Sequence, residues 1–307
     1  MGSRYPCLAL FTVSALYTVP SLSLYLYIVF LFIRHQKTFS SWFYKLFLLN
    51  GSLDCLNVVV HTFADRFPYY GFFPLFYRNL PSFLVTIFYF FKYFHLYSHF
   101  IGSLAVGLNR FYMIAVSHQY HSKFRSFLIN FLSVLAISCG PLPVTVQLLY
   151  AGAHYLPFDE TKPDDIVMMG YYSSALPNFR NSENAIIVIS SAALASLLLN
   201  ALTLISVFNV KSKALNSHAP NVQKIELKLF VASLSIFIFE LAMVAFQVLI
   251  FLYLQNERIM EILFTVYPFI YDLCMLSPPW ILLATSSKVR QHVGNSKRLF
   301  VTRQTTS

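Results

Sequence analysis

The chain has 307 residues, of which 57% are hydrophobic, 18% aromatic and only 11% charged. Soluble domains carry about 25% charged residues, so this chain lacks the polar surface to face water on every side; the two soluble domains its length would otherwise suggest are excluded. The formal charge of +10 is spread over several short segments and not gathered into one patch, which points to anionic membrane lipid and away from nucleic acid.

In chain order, the first apolar run covers 9–33. A single Arg precedes it, a positive cluster comes after it, and it is about twice as long as the core of a secretory signal, so it reads as a retained first span. Further runs long enough to cross a bilayer lie at 44–64, 82–108, 127–150, 185–209, 229–254 and 262–284. The third is the least apolar, because it holds Lys92, His95 and His99. Runs of this kind must be helices, since an open strand edge leaves backbone groups unpaired in hydrocarbon. The expected fold is therefore an all-α membrane protein, a seven-transmembrane helix bundle over residues 1–290, with a short basic tail at 291–307. The longest polar stretch, 151–184, contains Pro157, Pro163 and Pro177 and reads as an irregular loop able to act as a lid.

Charge sets the direction. After the first, third, fifth and seventh runs come Arg34, Lys37 and Lys45; Arg110, Lys123 and Arg125; Lys211, Lys213, Lys224 and Lys228; and Lys288, Arg290, Lys297, Arg298 and Arg303. Glu226 is the one acid among them. The alternate segments hold Asp65, Asp159, Glu160, Asp164, Asp165, Glu183, Glu257 and Glu261 against six cations. Basic loops stay in the cytosol, so the N-terminus is expected outside and the C-terminus inside. Of Cys7, Cys55, Cys139 and Cys274 only Cys7 lies outside an apolar run, so no disulfide framework or metal spacing is readable, and no cofactor is expected. The one glycosylation triplet, Asn50-Gly51-Ser52, falls inside a span.

At the end of the third run the sequence reads Leu108-Asn109-Arg110-Phe111-Tyr112-Met113-Ile114. This resembles the acid-Arg-Tyr motif of rhodopsin-like G protein-coupled receptors, with Asn for the acid and Phe for the Tyr. With Tyr5-Pro6 near the N-terminus and Phe43-Tyr44-Lys45-Leu46-Phe47 leading into the second run, the chain resembles the nematode serpentine chemoreceptors of class gamma, with class V as near neighbour. The resemblance covers Tyr5 to about Arg290. It implies a seven-helix receptor in the plasma membrane, of a sensory-cell cilium, that binds an external cue and activates a heterotrimeric G protein. Asn109 and Arg110 would then serve coupling and activation. The sequence departs from the rhodopsin-like pattern at several points. The sixth run has no proline, the seventh offers Ser277-Pro278-Pro279-Trp280 in place of Asn-Pro-x-x-Tyr, and Val85 stands where a disulfide Cys is expected. The seventh run has no Lys, which excludes a retinal Schiff base of the opsin kind.

Four ionisable residues, Asp54, Lys92, Glu240 and Asp272, lie well within runs. Each costs about 2.5–3.5 kcal/mol at mid-bilayer, so each must face the bundle and find a partner. At 1.5 Å per residue, Lys92 lies about 27 Å from Arg110 and Asp272 about 24 Å from Lys288, similar depths. Because the resembled fold sets spans three and seven face to face across the ligand cavity, Lys92 and Asp272 are expected to pair at its floor. An acidic small molecule would compete there for Lys92. His95 and His99 lie beyond Lys92 on one helical stripe and either line the same cavity or hydrogen-bond to neighbouring helices. Asp54 matches the buried span-two acid of the resembled receptors, which implies a sodium or water-network site, with a helix-packing hydrogen bond as the alternative; Asp54 and Glu240 are the candidates for a buried polar network, Glu240 with no evident partner. The Phe-rich stretch at 88–94 faces lipid or the cavity.

A small transporter or channel is the alternative, yet the prolines at 141, 143, 278 and 279 do not recur at matched positions in two halves. A seven-span hydrolase would need His61, His95 and His99 to gather with acids at one membrane face, and the last two runs add no His. The short, basic loop 210–228 and tail are of a size to dock a partner and not to hold an enzyme.

Overall fold

The computed structural model describes residues 5–116, 123–150, 152–157, 167–171, 181–214, 220–253 and 256–294. Among these, seven long helices make up the fold. They are α1 (Tyr5–Arg34), α2 (Trp42–His61), α3 (Ser82–Phe111), α4 (Lys123–Cys139), α5 (Asn181–Ala214), α6 (Pro220–Leu252) and α7 (Glu257–Thr285). Six stretches are long and apolar enough to cross a membrane: Ala9–Arg34, Trp42–Tyr69, Phe127–Tyr150, Glu183–Phe208, Leu227–Leu252 and Arg258–Thr285.

The helix left out of that set is α3, although it is 30 residues long. Its low apolarity has a packing explanation. It touches α2, α4, α5 and α6 along its length, so its Lys, His, Asn and Arg side chains meet protein groups in place of lipid. The remaining helices close around it, α7 packing on α6 and α1, and α1 on α2. Tyr25, Phe43, Leu46, Tyr97, Phe100 and Tyr271 fill the interior, all essentially sealed. Large apolar side chains such as Leu16, Phe30, Phe127, Leu198 and Ile238 stay exposed on the outer faces, as lipid requires and water would penalise.

Small residues set the closest helix approaches. A methyl group at Gly51 would come within 2.5 Å of the Tyr25 ring, and one at Gly102 would collide with the Asn50 side chain. Helix α4 ends at Gly140, and the chain goes on through the turn Leu142–Thr145 into a 3-10 segment, Val146–Tyr150, so the fourth run is not one uniform helix. Helix α7 keeps going through Pro268, Pro278 and Pro279. Each proline deletes one backbone donor; beside the last pair, Trp280 donates from Nε1 to Ser21 Oγ on α1 at 3.0 Å. Asn256 caps the start of α7 by accepting from the Ile259 amide.

The loop expected to be irregular contains an antiparallel hairpin, β1 (Ala153–Pro157) with β2 (Val167–Tyr171), in the register Ala153↔Tyr171 to Pro157↔Val167. Ala153 is bound at both backbone groups: its amide donates to Thr86 Oγ1 at 2.8 Å and its carbonyl accepts from Ser82 Oγ at 2.9 Å. Val85, where the resembled receptors would place a disulfide Cys, packs instead with Tyr77, Tyr89, Leu148, Ala153 and Tyr155. Burial and hydrogen bonds hold this strand to α3. Residues 158–166 and 172–180, the rest of the expected lid, lie outside the described residues.

Candidate functional site

Helix α2 does not stop at residue 64, where the apolar run ends. It passes from regular α-helix at His61 into a π-helical turn, Thr62–Arg66, and continues to Tyr69. A π turn inserts a residue and rotates the next turn of the helix about its axis. Two phenols hold its backbone: Tyr77 Oη donates to the Phe63 carbonyl at 2.6 Å, and Tyr155 Oη, from β1, donates to the Ala64 carbonyl at 2.8 Å. Burial, helped by the nearby Asp65 carboxylate, pushes the Tyr77 phenol up to about 12 and raises Tyr155 in the same sense. Both stay neutral donors at physiological pH.

The turn sends two adjacent charges in different directions. Asp65 reaches α3, where Oδ1 accepts from Lys92 Nζ at 2.8 Å, and its Oδ2 meets His61 Nδ1 at 2.6 Å. Arg66 reaches α7 and pairs with Asp272. The same guanidinium donates to Ser14 Oγ at 3.2 Å and Thr18 Oγ1 at 3.1 Å on α1, while Thr18 donates to Asp272 Oδ2 at 2.6 Å. The Lys92–Asp272 pair expected across the cavity is therefore not formed. Each residue takes a partner from α2, because the π turn puts an acid within reach of one and a base within reach of the other.

Exposure separates the two pairs. Arg66 and Asp272 are 3% and 1% accessible at the side chain, whereas Lys92 and Asp65 are 13% and 19% accessible. The first is a closed clamp on α1, α2 and α7. The second keeps partial access to its surroundings. Around it stand rings: Lys92 Nζ is 5.6 Å from the centroid of Tyr93, and His61 lies 4.1 Å from Tyr271 and 5.8 Å from Tyr267. His61 Nε2 and Tyr271 Oη are buried without a hydrogen-bond partner. Both residues are sealed in the bundle, so Lys92 and Asp65 are the polar groups of this cluster that keep partial exposure.

The other intramembrane residues form a second network deeper in the bundle. His99 Nδ1 is 2.7 Å from Asp54 Oδ1, and Tyr25 donates to Asp54 Oδ2 at 2.8 Å. On its far side His99 Nε2 lies 3.5 Å from Glu240 Oε1 on α6 and 3.7 Å from Cys274 Sγ on α7. Glu240 thus has a charge partner, though neither of its oxygens has a hydrogen bond of good geometry. His99 ties four helices together and does not join Lys92. His95 joins neither network; it stacks on Phe91 at 5.8 Å, buried, with Nδ1 unpartnered. Among the described residues no group of three His, Cys, Asp or Glu is arranged to hold a metal.

At the opposite end of α3, Asn109 donates to Asn130 Oδ1 on α4 at 2.8 Å and accepts from Arg110 Nη2 at 2.8 Å. The Arg110 guanidinium lies 4.5 Å from the centre of the Phe43 ring, and Phe43 is itself buried on α2. Asn in place of the acid therefore holds Arg110 by a neutral bond, with cation–π attraction worth about 1 kcal/mol beside it. A further helical stretch, 287–294, folds back here: Lys288 Nζ donates to the Thr38 carbonyl at 3.1 Å, and the His292 ring meets His35 and Phe39. Residues 117–122, 215–219 and 295–307, which carry much of the expected docking surface, lie outside the described residues.

Sequence reasoning does not single out Asp65, Arg66, Thr18 or Tyr25 as site residues, and it names His61 only for the hydrolase alternative. Asp65 and Arg66 read as loop residues because the apolar run ends just before them. The signal available is the need of Lys92 and Asp272 for partners, which two neighbouring opposite charges satisfy. Residues 11–293 match the family model described as Srg family chemoreceptor. No curated protein matches the chain. From its first long helix to the segment beyond the last, this multi-pass membrane protein belongs to the Srg family of serpentine chemoreceptors.

Proposed function

We propose that the chain is a seven-span receptor domain, residues 1–290, with its N-terminus outside the plasma membrane of a sensory-cell cilium and its tail in the cytosol. It binds an external small molecule beside Lys92 and Asp65 and signals to a heterotrimeric G protein at the Arg110 end. The observation that carries this reading is the accessible Lys92–Asp65 pair between α2 and α3, ringed by Tyr93, His61 and Tyr271. The opposed loop charges support the direction. In the absence of ligand, Asp65 neutralises Lys92 and holds α2 to α3. An acidic cue supplies a second carboxylate to Lys92, and the released Asp65 loosens the helix pair, favouring the signalling state.

Expression in a reporter cell with a panel of acidic and neutral small molecules tests the reading. Lys92→Met should abolish responses to acidic compounds while surface expression is kept. Asp65→Asn, which leaves Lys92 unpaired, should raise basal signalling. Acidic responses that survive Lys92→Met would refute the assignment of the ligand site. Uptake or current from pure protein in liposomes, with no G protein present, would favour a transporter or channel.

A further inference from the structure

The connection between α2 and α3 is built in an unusual way. Gly71 (φ 76) and Phe73 (φ 53) both take left-handed backbone, and Phe73 is the one non-glycine residue of positive φ among those described. A bulky side chain is disfavoured there, where Gly or Asn is the easy choice. Directly after Phe73 the chain forms a single helical turn, Pro74–Arg78, with two contrasting sides. Tyr77 faces inward, buried, and ends on the Phe63 carbonyl of the π turn. Phe73, Leu75 and Phe76 face outward, each between 60% and 68% exposed. Phe83, at the start of α3, is exposed to the same degree and begins a stripe with Ile87 and Phe91 at i, i+4 and i+8.

Large apolar groups at a water-facing loop tip are costly, and this cluster is contiguous in sequence. The stripe Phe83, Ile87 and Phe91 runs down a helix of a membrane protein, and its outward face has lipid as its neighbour. The loop cluster directly precedes α3 in the chain and is as exposed as Phe83, the first residue of that stripe. Aromatic side chains are favoured in the headgroup layer of a bilayer.

We propose that residues 73–76 are a lipid anchor: Phe73, Leu75 and Phe76 lie in the interfacial layer of the leaflet at the hairpin end. Through Tyr77, the same turn holds the π-helical backbone that aims Asp65 and Arg66. The leaflet thereby grips one edge of the ligand site. The anchor itself does not depend on the ligand reading; only its effect on Asp65 and Arg66 does.

The test uses the full chain in phosphatidylcholine vesicles and needs no ligand. Phe76→Trp adds one fluorophore to Trp42 and Trp280, and its emission is the difference from the parent. The expected result is loss of that added emission in vesicles whose acyl chains are brominated near the headgroup, with no loss on adding aqueous acrylamide. Quenching by acrylamide without quenching by brominated lipid would overturn the anchor, placing the loop in water. Insensitivity to both would overturn it equally, placing the residue in a contact with protein, another segment or a second copy. Phe73→Trp reads the same layer should Phe76→Trp fail to fold. For the link to the site, amide exchange over residues 62–66 should rise in both Tyr77→Phe and the Phe73→Ser, Phe76→Ser double variant. A rise in Tyr77→Phe alone would leave the phenol tie standing and remove the leaflet's grip on it.

Discussion

Replacing Arg66 by Met removes the whole cationic side of the clamp. Asp272 is then left with Thr18 Oγ1 at 2.6 Å and Ser14 Oγ at 3.4 Å, two neutral donors, at 1% side-chain accessibility. Stripping one partner from a buried ion pair costs about 3–5 kcal/mol. In a membrane the denatured state also finds partners, so the lower figure, about 3 kcal/mol, is the expectation. That is a fall of roughly 150-fold in the folded-to-unfolded ratio at 1.4 kcal/mol per tenfold. Asp272→Leu should cost a similar amount, since it strands the guanidinium among Ser14 and Thr18. The double variant Arg66→Met, Asp272→Leu is the decisive case. Two apolar side chains of similar volume need no partner, so it should lie within about 1 kcal/mol of the parent. Reversible unfolding in mixed micelles, followed by circular dichroism, measures all three against the parent. A double variant whose loss equals the sum of the singles would refute the reasoning, because it would mean the two charges do not stabilise each other.

The same cycle on Lys92→Met and Asp65→Asn should show coupling of about 1 kcal/mol, because that pair is partly solvated; a coupling as large as that of the clamp would sink the distinction between open and closed pairs. Gly102→Ala should destabilise by about 1–3 kcal/mol through the collision with Asn50, and Asn50→Ala in the same chain should recover most of it in thermal unfolding. Asp54→Asn should cost about 2 kcal/mol by weakening the bonds from Tyr25 and His99, and Tyr25→Phe about half of that, both read in the same assay. Arg110→Gln should abolish nucleotide exchange on a co-reconstituted G protein while the helical circular dichroism of the parent is kept. Full exchange in that variant would remove Arg110 from the coupling role.

The apolar runs by themselves determined the class of the protein. Long stretches with few charges have no stable place in water, and in lipid they must be helices, so every long helix lies on an apolar run; the ends are less legible, since α4 stops at Cys139 within the run 127–150 and α6 begins at Pro220, nine residues before its run. The cost of burying Asp54, Lys92, Glu240 and Asp272 likewise determined that each would face protein. Asn109-Arg110 and the motifs around it carried the family. The partner of each charge was not determined by the runs. Depth along a straight helix put Lys92 level with Asp272, but a π turn in α2 interposes Asp65 and Arg66 and gives each its own opposite. Tyr77 and Tyr155, 11 and 89 residues beyond Arg66 in sequence, donate to carbonyls of that turn. Helix periodicity is a local property and could be read along the chain; the twist that decides which charges meet is set by contacts that only the packed bundle brings together.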